Sequence, residues 1–189
     1  GVNRIYYGAP GTGKSYKCRQ LPNQTVTVFH RDSMYTDFVG SYRPGKDGDD
    51  ITYRFVPGPF VEAYVRAVKD PGDEHTLVIE EINRANCAAV FGQIFQLLDR
   101  RDDRASLYEI DVEKSLAGYL QDTLGDKWTG RLRIPGNLSL YATMNSADQG
   151  VEPMDSAFRR RWTMVYLPID FDGEPDFDKK VIPYAGSKY

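Results

Sequence analysis

The eight residues Gly8-Ala9-Pro10-Gly11-Thr12-Gly13-Lys14-Ser15 constrain this chain more than any other stretch. They fit the pattern G-x-x-x-x-G-K-[ST], directly after the apolar run VNRIYY and leading into a segment with helical spacing that begins at Lys14. Glycines at these positions let the backbone fold tightly, so that successive N–H groups point inward at phosphate oxygens while the next helix presents its positive end. In such a loop Lys14 reaches the β- and γ-phosphates as a point charge, and the Ser15 hydroxyl ligates Mg²⁺. A chance match in a chain of 189 residues is on the order of one in a hundred, before the strand and helix context is required.

Around this loop, short β-branched and aromatic runs alternate with stretches of helical spacing, the sequence sign of a parallel α/β sheet. Five core strands are expected, at 2–7, 25–29, 76–80, 138–144 and 163–167. Runs such as LVI, with no polar alternation, suit strands covered by helices on both faces. Helices are expected at 14–21, 59–69, 85–99 and 153–161. In the third, Val90, Phe91, Ile94, Leu97 and Leu98 recur at three- and four-residue steps and make one apolar face. Turn chemistry alone makes RPGKDGDD (43–50) an exposed loop. The stretch 100–137 is too long for a simple connection; its strand-like SLYEIDV and GRLRI flank a short helix near 116–124, which reads as a hairpin-like insertion projecting from the core.

A phosphate cradle hydrolyses nothing alone; it needs a carboxylate near Mg²⁺ and a group that activates water. The run TLVIEE ends in two acids at the carboxyl end of a strand, the edge where open parallel sheets bind ligands. Glu80 is placed to hold the Mg²⁺ shell and Glu81 to polarise the attacking water. A second apolar run, YATMN, ends in Asn145, an amide able to contact that water or the γ-phosphate from the side. Finally, DSAFRRRW closes a short helix with three arginines. Their bland reading is compensation of the helix dipole; the sharper one is an arginine finger.

Together, GAPGTGKS, LVIEEINRAN, ATMNSAD and MDSAFRRRW resemble the AAA+ NTPases, and within them the McrB-like branch, the motor subunits of modification-dependent, 5-methylcytosine-specific restriction systems. VFGQIFQLLD and FHRDSMYTDFVGSYRP are similar to that branch as well, so the likeness covers nearly the whole chain. It implies a P-loop α/β sandwich with a five-stranded parallel sheet. It also implies a GTP or ATP bound with Mg²⁺ at a subunit interface, a homo-oligomer that is usually a hexameric ring, and a McrC-like nuclease partner. Family roles carry over to Gly8 through Tyr16 for phosphate, Ser15 and Glu80 for metal, Glu81 as catalytic acid, Asn145 as first sensor, and Arg159 or Arg160 as a finger acting in trans. Asn83 and Arg84 occupy the NR of the second motif. Two positions depart from the pattern: Glu80 stands where the family usually has Asp, and Gln149 where its M-N-x-x-D-R signature has arginine.

Composition bounds the rest. With 24 Lys and Arg against 27 Asp and Glu, the chain has no global basic field to hold DNA, so DNA contact is expected through regions outside it. No apolar run approaches a membrane span, and two cysteines, Cys18 and Cys87, favour a reducing, cytoplasmic setting. Residues 1–170 read as the nucleotide-binding core and 171–189 as a polar tail, with the helical lid and an N-terminal targeting domain lying outside this chain. A nucleotide-gated assembly module with little turnover and a MoxR-like remodelling ATPase are the competing functions.

Overall fold

The run TLVIE shows no polar alternation because both of its faces are covered. A computed structural model describes residues 1–47, 50–146 and 152–169. Its strands are β1 (Asn3–Gly8), β2 (Gln24–Val28), β3 (Gly40–Asp47), β4 (Asp50–Pro57), β5 (His75–Glu80), β6 (Leu138–Asn145) and β7 (Thr163–Tyr166). The helices are α1 (Lys14–Arg19), α2 (Tyr35–Phe38), α3 (Pro59–Lys69), α4 (Cys87–Phe91), α5 (Lys114–Leu124) and α6 (Ser156–Arg159).

Five strands form one parallel sheet, as expected from the sequence, and their order is β2-β5-β6-β1-β7. One face carries the larger core: Leu77 and Ile79 of β5 and Leu140 and Ala142 of β6 pack with Phe60, Val61 and Tyr64 of α3. The opposite face carries a smaller cluster of Tyr6, Val78, Leu167 and Cys18 of α1, with Tyr141 packed against it. Register places the site: Gly8 at the end of β1 lies opposite Asn145 at the end of β6, and Ile79 of β5 pairs with Ala142 of β6. The carboxyl ends of β1, β5 and β6 therefore meet at one edge.

Several expectations are corrected. The apolar face of the expected 85–99 helix is buried throughout, but the helix is broken. It runs as α4 and then as 3₁₀ turns over Gly92–Leu98, because Gly92 takes φ 50 and a Cβ there would meet Tyr35 Cδ2 at 2.8 Å. Residues 43–47 and 50 are not a plain loop: they belong to an antiparallel hairpin, β3 with β4, while residues 48 and 49 lie outside the described residues. Ile51, Tyr53 and Phe55 alternate with Thr52 and Arg54, a period-two signal that the neighbouring turn residues mask. Phe55 anchors the hairpin by packing 5.2 Å from the Tyr119 ring of α5.

The insertion at 100–137 is hairpin-like only at two antiparallel bridges, Arg100↔Ser106 and Ile110↔Leu132. It does not project. Ile110, Leu116, Leu120, Leu124, Trp128, Leu132 and Ile134 all join the main core, so burial of these side chains folds the segment onto the sheet's helical layer. The expected helices at 14–21 and 153–161 are each shorter, Lys14–Arg19 and Ser156–Arg159, the latter capped by Asp155, which accepts from the Phe158 N–H at 2.7 Å. Residues 171–189, read as a polar tail, lie outside the described residues, as does Gln149.

Both cysteines are buried, and burial pushes the Cys18 thiol up to about 11 and the Cys87 thiol up to about 12. Thiolate, not thiol, reacts. Neither is expected to be labelled by a disulfide reagent at pH 8 until denaturant unfolds the chain, and rapid labelling of the native protein would contradict this packing.

Candidate functional site

Residues 8–15 wrap into a left-handed loop because Gly11 and Gly13 adopt φ 83 and φ 78, a region that other L-residues avoid. Nothing lies within 4 Å of a Cβ built on either, so the space above the loop is open. Thr12 Oγ1 donates to the Ala9 carbonyl at 3.0 Å and closes the loop on itself. Lys14 is nearly buried, and its Nζ donates to the Gly8 carbonyl at 3.1 Å and to that of Ala9 at 2.6 Å. No side chain caps α1 and no acid sits in its first turn, which leaves its leading N–H groups for an anion.

A cleft of about 400 Å³ opens over this loop. Pro10, Gly11, Gly13, Lys14, Ser15 and Tyr16 line it from one side, and Glu81, Thr143 and Asn145 from the other. The structure thus brings together most of the residues singled out in the sequence. Glu80 is not among those lining the cleft. It follows Val78 on the α1 face of β5, and its charge contributes to raising the Cys18 thiol on that helix, which places it beside α1 and not on the α3 side.

Glu81 is held from three directions. Asn145 Nδ2 donates to its carboxylate at 3.0 Å (Oε1) and 3.3 Å (Oε2), and Arg84 Nε lies 3.3 Å from Oε2. Its own N–H donates to Thr143 Oγ1 at 3.2 Å. Glu81 takes φ 55, ψ 43, a left-handed conformation that costs a non-glycine residue about 1–2 kcal/mol and persists only where neighbours hold it. Asn83 Nδ2 in turn donates to the Asn145 carbonyl at 3.2 Å, and the Ser146 N–H to that of Gly8 at 3.1 Å, tying the three strand ends together.

The three arginines separate. Arg161 is structural: its guanidinium donates to Asp99 Oδ2 at 2.8 Å and to the Ala157 carbonyl at 2.8 Å, and lies 4.1 Å from the Phe95 ring centroid. Arg159 and Arg160 are exposed, and neither lines the cleft of its own chain. Arg159 borders a neighbouring groove with Asn83, Asn145 and Glu152, whereas Arg160 lies with Asn3 and Asp99 near the start of β7. Sequence reading passed over Thr143 altogether, although its place two residues before Asn145 on one strand face was visible in the alternation of β6.

A phosphate-type loop after the first strand of a parallel sheet, faced by an acidic strand end and an asparagine strand end, defines a P-loop nucleotide-binding domain. The chain belongs to the AAA domain family, dynein-related subfamily, whose description matches residues 4–162. It is 38% identical over 200 residues to component YdiS of the type II restriction enzyme BsuMI from Bacillus subtilis (strain 168), covering 89% of this chain and 57% of that protein. It is 30% identical over 186 residues to the EcoKMcrB subunit of a type IV methyl-directed restriction enzyme from Escherichia coli (strain K12), covering 93% of this chain and 36% of that one. The McrB-like resemblance read from the motifs is borne out by these two. A crystal structure of a Cytophaga hutchinsonii protein assigned as an ATPase superposes with a TM-score of 0.52 at 15% identity, over 87% of this chain and 41% of that one, and shares the fold. The chain spans only 57% and 36% of its two curated relatives. No helix among the described residues is long and apolar enough to cross a membrane.

Proposed function

We propose that this chain is the nucleotide-hydrolysing core of a restriction-system motor, cleaving the γ-phosphate of GTP or ATP in an oligomeric, hexameric ring that drives a McrC-like nuclease partner. The observation that supports it best is the convergence of Lys14, Ser15, Glu81 and Asn145 on one cleft. The open cradle over Gly11 and Gly13 and the uncapped start of α1 fit a chain of phosphates. Lys14, already desolvated on the loop carbonyls, exchanges those partners for phosphate oxygens. Glu81 takes a proton from water, and Asn145, which donates to that carboxylate, orients it.

Mg²⁺ suits the hydroxyl of Ser15 and the carboxylate of Glu80, both hard oxygen donors. When bound, it neutralises charge on the transferring phosphoryl group. In this reading DNA is contacted through regions outside this chain, and the motor acts in the cytoplasm.

Because neither Arg159 nor Arg160 lines the cleft of its own chain, a finger role is assigned to a neighbouring subunit's cleft. Either Arg159→Ala or Arg160→Ala is expected to lower turnover at least about tenfold without weakening nucleotide binding, and only one of them should do so. Arg161→Ala should instead lower stability by about 2 kcal/mol through loss of its charged hydrogen bonds to Asp99. The overall reading is tested by phosphate release measured beside nucleotide-dependent particle mass, with GTP and ATP in parallel. A mass increase with no release of phosphate favours a nucleotide-gated assembly module, and the absence of both responses overturns the proposal.

A further inference from the structure

Alternation along β5 puts Leu77 and Ile79 on the α3 face of the sheet and Val78 on the α1 face. Continued in extended conformation, Glu81 would follow Ile79 to the α3 face, away from the phosphate loop. It does not, because φ 55, ψ 43 at Glu81 turns the chain before the 3₁₀ turn Ile82–Arg84 begins. The paired register of β5 and β6 ends at Ile79↔Ala142. Beyond that point the N–H of Glu81 is taken not by a β6 carbonyl but by the Thr143 hydroxyl oxygen, at 3.2 Å.

Thr143 and Asn145 alternate on β6 with Ala142 and Met144 of the main core, so both stand on the α1 face. One strand face thereby grips Glu81 at both ends: Thr143 Oγ1 accepts from its N–H, and Asn145 Nδ2 donates to its carboxylate. Thr143 is 2% exposed and still borders the cleft. We propose that Thr143 is a positioning residue whose hydroxyl locks the left-handed turn that swings the Glu81 carboxylate from the core face into the nucleotide cleft. The inference rests on the reading of Glu81 as the group that polarises water. Asn145 touches the carboxylate; Thr143 acts only through the backbone, so its removal changes orientation and not the chemistry available.

Thr143→Val keeps the shape and removes the acceptor, leaving a part-buried N–H without its partner; Thr143→Ser restores the acceptor. In the full chain, kcat for Mg²⁺-dependent phosphate release is expected to fall between about tenfold and a hundredfold in Thr143→Val, the scale of a misplaced catalytic group, with KM unchanged within about twofold. The Glu81 amide, followed by hydrogen exchange, is expected to lose protection in the same variant. Thr143→Ser is expected to recover both. A Thr143→Val protein with wild-type kcat, or one whose Glu81 amide stays protected, overturns the inference, as does a loss confined to KM. Glu81→Gln is run beside them: if that variant turns over normally, it is the role of Glu81 that fails, and the amide protection still decides whether Thr143 holds the turn.

Discussion

Lys14→Ala is expected to abolish measurable nucleotide binding while leaving the fold intact. Lys14 is buried, at 7% exposure for the whole residue, and its ammonium sits on two loop carbonyls, of Gly8 and Ala9, that satisfy it without neutralising it. A cation already stripped of most of its water binds anionic oxygen more strongly than a solvated surface lysine, because its desolvation has been met by folding. Losing charge-assisted hydrogen bonds of this kind costs about 1.5–3 kcal/mol each, so two phosphate contacts correspond to a Kd weakened by roughly a hundredfold or more. The loop itself should survive, since Gly8 O also accepts the Ser146 N–H and Thr12 still closes onto Ala9. Titration calorimetry with Mg²⁺ and each of GTP and ATP measures the first expectation, and the melting temperature without nucleotide measures the second. Binding kept within threefold of wild type would remove Lys14 from the phosphate site; a collapsed melting temperature would show that it acts on the fold.

What made this site legible in the sequence was chemistry concentrated at strand ends. The glycine loop, the paired acids after TLVI and the asparagine after YATM each announce themselves locally, and parallel register then carries all three to one edge. What the sequence hid was set by tertiary contact. The period of β3 and β4 is masked by the turn residues beside it. The insertion's apolar residues are spaced too irregularly to reveal that Ile110, Trp128 and Ile134 fold back onto the core. The break at Gly92 depends on the nearby Tyr35 ring, which no local pattern records. Likewise three adjacent arginines look equivalent as text, and only the partners Asp99 and Phe95 remove Arg161 from the set that can reach another molecule.

Glu81→Gln is expected to bind nucleotide with affinity unchanged or tightened and to turn over between about a hundredfold and ten-thousandfold more slowly, the usual contribution of a positioned general base. The substitution isolates that role because little else changes. The amide keeps the volume of the carboxylate, its oxygen can still accept from Asn145 Nδ2, and the N–H to Thr143 is a backbone bond that the side chain does not alter. The ion pair with Arg84 is lost, but both side chains are partly solvated, at 40% and 30% exposure, so its worth is at most about 1 kcal/mol and stability should barely move. Removing a negative charge from a cleft that faces polyanionic phosphate also relieves repulsion in the bound state, which is why affinity should hold or rise. Phosphate release under saturating nucleotide, set against calorimetric binding by the same preparation, separates the two quantities. Undiminished release would exclude Glu81 as the group that polarises water. A fall in release matched by an equal fall in affinity would instead mean that the carboxylate shapes the nucleotide cleft and leaves the chemistry to another group.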